Sequence, residues 1–247
     1  MKALLYAYNT EYAKELAIRL IPFGMETFPF SSEHDIQAEE NNEESPFQVI
    51  FTEKTEKEFL ENLKKKYQNQ PLIILTSKDL PPSEMRNLIP LGISTIMKIK
   101  NQPEAMVEEI VQFMTAHNIR SKDKRLHIRV QPKPHETATA SVYLKKMARF
   151  VKGKILDISA GGFALAAEDS LEISLLAPGE LYDNVILSLN GKEIKTVARM
   201  IVRRDVIAGF KFENVEPNEM YKIATYIYNH LEENYQRKLK SMMSESE

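Results

Sequence analysis

The sequence predicts two folds in one chain: a parallel α/β unit, then an antiparallel β unit with a helix at its end. Three observations predict it. Over residues 1–118, short apolar stretches alternate with amphipathic stretches at helical spacing, which is the pattern of βαβ units. Beyond residue 119 strand-like stretches follow one another, and Asn190-Gly191 lies between two of them. That dipeptide favours a two-residue hairpin, because both turn positions need φ > 0. Finally, Met220, Ile223, Ala224, Ile227 and Leu231 form one helical stripe.

Taken in order, residues 3–8 read as a buried strand, and 11–21 as a helix with Ala13, Leu16, Ala17 and Leu20 on one face. The acidic stretch 31–45 reads as a short polar helix or a loop. Residues 47–51 and 72–75 are short apolar strands. Between them, 55–67 carries Phe59, Leu60 and Leu63 at helical spacing, with lysines at the end that suits the helix dipole. Residues 83–91, 94–97 and 103–117 continue as helix, strand and helix, with Pro103 suited to a first helical position. Residues 119–124 are polar and charged, a linker by composition. Strands are expected at 142–156, 185–189, 194–202 and 208–212.

The formal charge of −2 conceals a division. Residues 1–118 hold 12 basic and 18 acidic side chains, and residues 119–247 hold 21 and 17. The pI near 6.3 therefore gives no reason to expect a nucleic-acid partner, yet the second half is basic. Cys is absent, which excludes disulfides and thiolate metal sites. No apolar run approaches the ~20 residues that span a bilayer, and no signal peptide is evident, so a cytoplasmic protein without membrane insertion is expected. The five His form no metal-binding spacing, and neither a phosphate-binding GxxxxGK[ST] loop nor a GxSxG elbow is present. No cofactor and no enzymatic activity are expected.

The positive charge concentrates between Arg120 and Lys154, where 11 basic residues face two acidic ones. Arg125 and Arg129 lie there four apart, and Lys124 precedes them. Guanidinium groups make bidentate contacts to phosphate and stack on bases. Further on comes Asp157-Ile158-Ser159-Ala160-Gly161-Gly162, after a strand at 153–156. Asp and Ser followed by paired Gly form a turn whose backbone a ligand can approach, and the carboxylate can accept from the N1–H and N2–H₂ edge of guanine.

In this order the two motifs resemble the PilZ domain, whose members bind cyclic di-GMP through RxxxR on an arm and [DN]xSxxG on a barrel. The resemblance covers residues 120–235. It implies a six-stranded antiparallel β-barrel with a closing helix, and Arg125, Arg129, Asp157, Ser159, Gly161 and Gly162 as ligand-binding residues. In the family, an Arg where Lys124 stands goes with two stacked ligands, so Lys124 joins the candidates and leaves the ligand count open. His127, between the motif arginines, is either a further ligand contact or a solvent-facing residue.

The first half is similar to a response-regulator receiver, a CheY-like (βα)5 fold, through LIILTS, the helix after it and GISTIMKIK. Phosphoryl chemistry in that family needs acids where this chain has Ala7, Tyr8 and Thr52. Its lysine position falls at Ile99, while Thr76 fits the hydroxyl position. The resemblance implies a pseudo-receiver. The resulting organisation is a pseudo-receiver at 1–118, a basic arm at 119–130, a PilZ-like barrel and helix at 131–235, and a polar tail at 236–247. The expected function is a cyclic di-GMP receptor that changes its interdomain arrangement and regulates a partner protein in motility, adhesion or exopolysaccharide pathways. The alternative is a ligand-independent interaction scaffold.

Overall fold

The computed structural model describes residues 1–30, 47–119, 126–167 and 170–244. The acidic stretch 31–45, Lys124 and Arg125 lie outside the described residues. The chain forms two compact units, Met1–Leu126 with Glu232–Glu247, and His127–Leu231.

The first unit runs β1 (Lys2–Tyr6), α1 (Thr10–Leu20), β2 (Glu26–Phe30), β3 (Val49–Thr52), α2 (Lys57–Lys66), β4 (Leu72–Thr76), α3 (Pro82–Leu88), β5 (Thr95–Lys98) and α4 (Pro103–Ala116). Its five strands are parallel, in the order β2-β1-β3-β4-β5. Side chains alternate across a strand, so a sheet buried on both faces needs continuous apolar runs. Ala3, Leu5, Val49, Phe51, Ile73 and Leu75 enter one core with α1 and α4, and Leu4, Tyr6, Ile50, Leu72 and Ile74 enter the other with α2. Asn9 caps α1 by accepting from the Tyr12 amide at 3.0 Å, and Pro103 opens α4 as expected.

Strand β2 is absent from the sequence expectation. Its Pro29 lies opposite Leu5 and cannot donate to a ladder, but among the described residues β2 is the outermost strand and is paired on one side only. That edge position tolerates a residue which reads as a strand breaker.

The second unit runs β6 (Arg129–Val130), β7 (Ala138–Leu144), β8 (Arg149–Ser159), β9 (Gly162–Ala167), α5 (Ser170–Ser174), β10 (Leu181–Leu189), β11 (Lys192–Arg204), β12 (Ile207–Glu213) and α6 (Pro217–Ser244). Strands β7 to β12 are antiparallel in the ring β8-β7-β10-β11-β12-β9, which returns to β8 through the β8–β9 pairing. This is a closed six-stranded barrel, an arrangement that removes exposed sheet edges. Phe163 stacks on Phe210 inside it at 4.9 Å, and Tyr182 meets Phe210 edge-on.

Three expectations are corrected here. The stretch 142–156 is two strands, not one, because the chain reverses through Lys145–Met147 with Ala148 left-handed at φ 48°. No Gly, Pro, Asn or Asp marks that turn, and a left-handed Ala is uncommon. Strand β9 was not expected, since its alanines carry little β propensity. Asp157 and Ser159 do not follow the strand but are its last residues. The Asn190-Gly191 hairpin is present, with φ 48° and 80°.

Helix α6 buries Ile223, Ala224 and Ile227. Its Tyr226 hydroxyl donates to Glu136 Oε2 at 3.0 Å, and His230 Nε2 lies 2.8 Å from the same oxygen. From Glu232 onward its residues belong to the first unit, where the Tyr235 ring is 4.8 Å from Phe28 and 5.6 Å from Phe30.

Candidate functional site

A β-bulge in β8 builds the site. Val151, Gly153 and Ile155 face the barrel interior in strict alternation. Continued unbroken, that alternation would send Asp157 inside and Ile158 outside. The ladder to β9 instead pairs Ile155 with Leu165 and Asp157 with Ala164, leaving Leu156 as an extra residue. One inserted residue inverts the phase. Ile158 is fully buried, while the Asp157 side chain retains 28% exposure and Leu156 faces solvent. The bulge thus turns a carboxylate out of the apolar interior.

Ser159 ends β8 and is buried. Its hydroxyl donates to the Gly162 carbonyl at 3.2 Å and accepts from the Gly161 amide at 3.3 Å, which closes the turn into β9. Gly162 is required by the backbone across from it, and Gly161 leaves room for a neighbouring side chain. A Cβ on Gly162 would come within 2.0 Å of the Phe210 carbonyl oxygen, and one on Gly161 within 2.4 Å of the His127 ring. The Gly161 carbonyl accepts from the Phe212 amide at 3.0 Å, which ties the turn to β12.

The end of the arm is fixed by the same strand. Strand β7 pairs with residues 149–154 of β8, and β6 pairs with its last two, setting Arg129 opposite Ser159 and Val130 opposite Ile158. Buried Val130 anchors the ladder and leaves Arg129 exposed. The Arg129 guanidinium then lies 3.7 Å from the Asp157 carboxylate. Such a solvent-exposed pair contributes only about 0–1 kcal/mol, so both groups can exchange each other for a ligand at little cost. Arg129, Asp157, Ser159, Gly161 and Gly162 are therefore brought together, while Lys124 and Arg125 belong to the undescribed arm. Sequence reasoning missed the part played by Leu156. Its signal was present in the shift from the 151, 153, 155 phase to Ile158.

The first unit places its receiver-like positions differently. Thr52 is fully buried and its hydroxyl accepts from the Lys54 amide at 3.0 Å. Glu53, next to it, accepts from the Tyr8 amide at 3.2 Å, and burial raises its carboxyl above the usual range despite that hydrogen bond. Ile99 packs against the core, with Lys98 paired to Asp79 at 2.8 Å and Lys100 to Glu109 at 3.1 Å. Among the described residues, no group of three or more His, Cys, Asp or Glu side chains is placed to hold a metal ion. Among them, too, no helix is long and apolar enough to cross a membrane.

No curated protein matches the chain. Among solved structures, the PilZ domain of YcgR from Escherichia coli with c-di-GMP is 16% identical, with a TM-score of 0.40, over 47% of this chain and 97% of that one. YcgR from Escherichia coli in complex with c-di-GMP is 18% identical, with a TM-score of 0.38, over 48% and 50%. The K. pneumonia MrkH–c-di-GMP complex is 18% identical, with a TM-score of 0.39, over 47% and 56%. The chain thus spans about half the length of the latter two. The sequence model of the PilZ domain matches residues 120–229, the segment that carries both motifs and the barrel. That part of the chain is a PilZ domain.

Proposed function

We propose that this chain is a cyclic di-GMP receptor whose ligand is held where the basic arm meets the end of β8. One observation carries the reading: the β6–β8 register sets Arg129 against Ser159, and the guanidinium reaches within 3.7 Å of Asp157. The described end of the arm thus meets the second motif on a PilZ domain, with the Arg129 side chain exposed and Asp157 partly so, which supports the reading.

The chemistry suits a ligand with two phosphate charges and two guanines. Arg129, with Arg125 from the arm, offers planar forks to phosphate oxygens or to the O6 and N7 of guanine. Asp157 accepts from the opposite guanine edge, N1–H and N2–H₂. Ser159 acts through the turn it closes, where its buried hydroxyl donates to Gly162 and accepts from Gly161. Lys124 supplies charge without a planar head. The β2-β1-β3-β4-β5 order of the first unit supports a CheY-like fold, with Ala7, Tyr8 and Thr52 at the positions where phosphoryl chemistry needs acids. The protein acts in the cytoplasm without catalysis. Ligand contact orders the arm, alters the arrangement of the two units and changes the surface offered to a partner protein. Helix α6 caps the barrel in this reading.

Calorimetric titration with cyclic di-GMP tests the proposal and counts ligands per chain. Saturable heat at micromolar ligand is expected, and its absence overturns the reading in favour of a ligand-independent scaffold.

A further inference from the structure

We infer that His127 is the positioning residue that keys the arginine arm onto the Gly161-Gly162 turn, and that it works by the shape of its ring and not by its nitrogens. The inference rests on the cyclic di-GMP reading above.

Three observations meet at this residue. First, the β6–β8 ladder has only two pairs, Arg129 with Ser159 and Val130 with Ile158. Carried two residues further, the same register sets His127 opposite Gly161. Second, the imidazole fills the space that a side chain on Gly161 would need, with Cδ2 at 2.4 Å, Nε2 at 3.1 Å and Cγ at 3.3 Å from an ideal Cβ. The flat ring and the bare glycine therefore interlock. Third, His127 Nδ1 is buried and has no hydrogen-bond partner among the described residues. A buried nitrogen left without a partner costs free energy. The seat is consequently held by packing of the ring, against the preference of that nitrogen.

The functional consequence follows from entropy. A two-pair ladder fixes few backbone dihedrals, so the arm beyond Arg129 needs another hold to keep its arginines in a narrow set of positions. Ordering loose side chains at the moment of binding lowers affinity. Seating His127 on Gly161 prepays that ordering for the segment between the two motif arginines. The turn beneath is itself rigid, through the Ser159 hydroxyl and the Phe212 amide.

The experiment is cyclic di-GMP titration of the full chain and its variants, with thermal unfolding measured alongside. His127→Ala is expected to weaken binding about tenfold or more, the equivalent of about 1.4 kcal/mol, with the unfolding midpoint unchanged. His127→Phe, which keeps a flat ring and loses both nitrogens, is expected to restore affinity to within about threefold of the parent. Gly161→Ala should weaken binding by evicting the ring. Combined with His127→Ala it should add little, because both changes break one contact and coupled sites are non-additive. Normal binding by His127→Ala overturns the inference, and so does binding by His127→Phe as weak as that of His127→Ala. If the parent chain itself gives no heat, the receptor reading fails. If the parent binds and His127→Ala binds equally well, only the role of His127 fails.

Discussion

Arg129 stands opposite Ser159 in the β6–β8 ladder, at the point where β7 has already left the edge of β8. The edge strand that β7 vacates is taken over by the end of the arm. This hand-over joins the two motifs through backbone hydrogen bonds, before any side chain interacts. The Arg129–Asp157 pair is the side-chain expression of that register.

Arg129→Ala and Asp157→Ala are expected to weaken cyclic di-GMP binding by well over tenfold, since each removes a charge-assisted contact of about 1.5–3 kcal/mol. Unfolding free energy should change by less than about 1 kcal/mol, because the pair is exposed. Titration and urea unfolding of the same samples check both halves of the prediction.

Deleting Leu156 removes the bulge and restores simple alternation in β8. With Ile155 inside, Asp157 then still points out and Ile158 still points in. The barrel should therefore stay folded and unfold at a urea concentration close to the parent's, while Asp157 loses the local twist of the bulge that aims it and cyclic di-GMP binding weakens. Leu156→Ala keeps the residue count and should behave like the parent in both measurements. A deletion variant that binds as tightly as the parent would show that the bulge does not aim Asp157.

The sequence made much of this legible, and the failures share a cause. Apolar runs identified four of the five parallel strands, and Asn190-Gly191 located its hairpin, because burial and left-handed turns leave local marks. Strand β2 and the turn at Ala148 leave none. Pro29 is tolerated because, among the described residues, no strand lies beyond it, and Ala148 is held in its conformation by strands on both sides. Both are decided by tertiary context. At the proposed site, the motif residues were legible but their local geometry was not. Nothing in the sequence shows that the Ser159 hydroxyl donates to Gly162 and accepts from Gly161 within the turn.

Acid should destabilise the barrel through Glu136. Its side chain is 9% exposed and accepts from the Lys133 amide, the Tyr226 hydroxyl and Asn190, with His230 beside it. Burial alone would raise its carboxyl, but these partners outweigh burial and hold it below the ordinary 4.5. A depressed pKa means that the stabilisation is complete above the unfolded value and is lost as pH falls through the folded one. The unfolding midpoint should therefore fall below about pH 4.5, and Glu136→Gln should flatten that acid limb. Tyr226→Phe should cost about 1 kcal/mol at neutral pH. Thermal unfolding across pH measures both.

Tyr235→Ala should destabilise the α/β unit by about 2 kcal/mol, below the range for a fully buried aromatic because this ring is half-buried. Loss of its contacts with Phe28 and Phe30 is the cause. Hydrogen exchange in β1 and β2 should quicken while exchange in the barrel strands stays as in the parent.

That contact also sets an order of events during synthesis. The ribosome delivers domains from the N-terminus, and they generally fold as units. Here the aromatic lid over Phe28 and Phe30 comes from residues made after the whole barrel. The α/β unit therefore waits, with part of its apolar face uncovered, until more than a hundred further residues have emerged. The barrel is made without interruption and can finish first, so the half of the protein that is translated first is the half completed last.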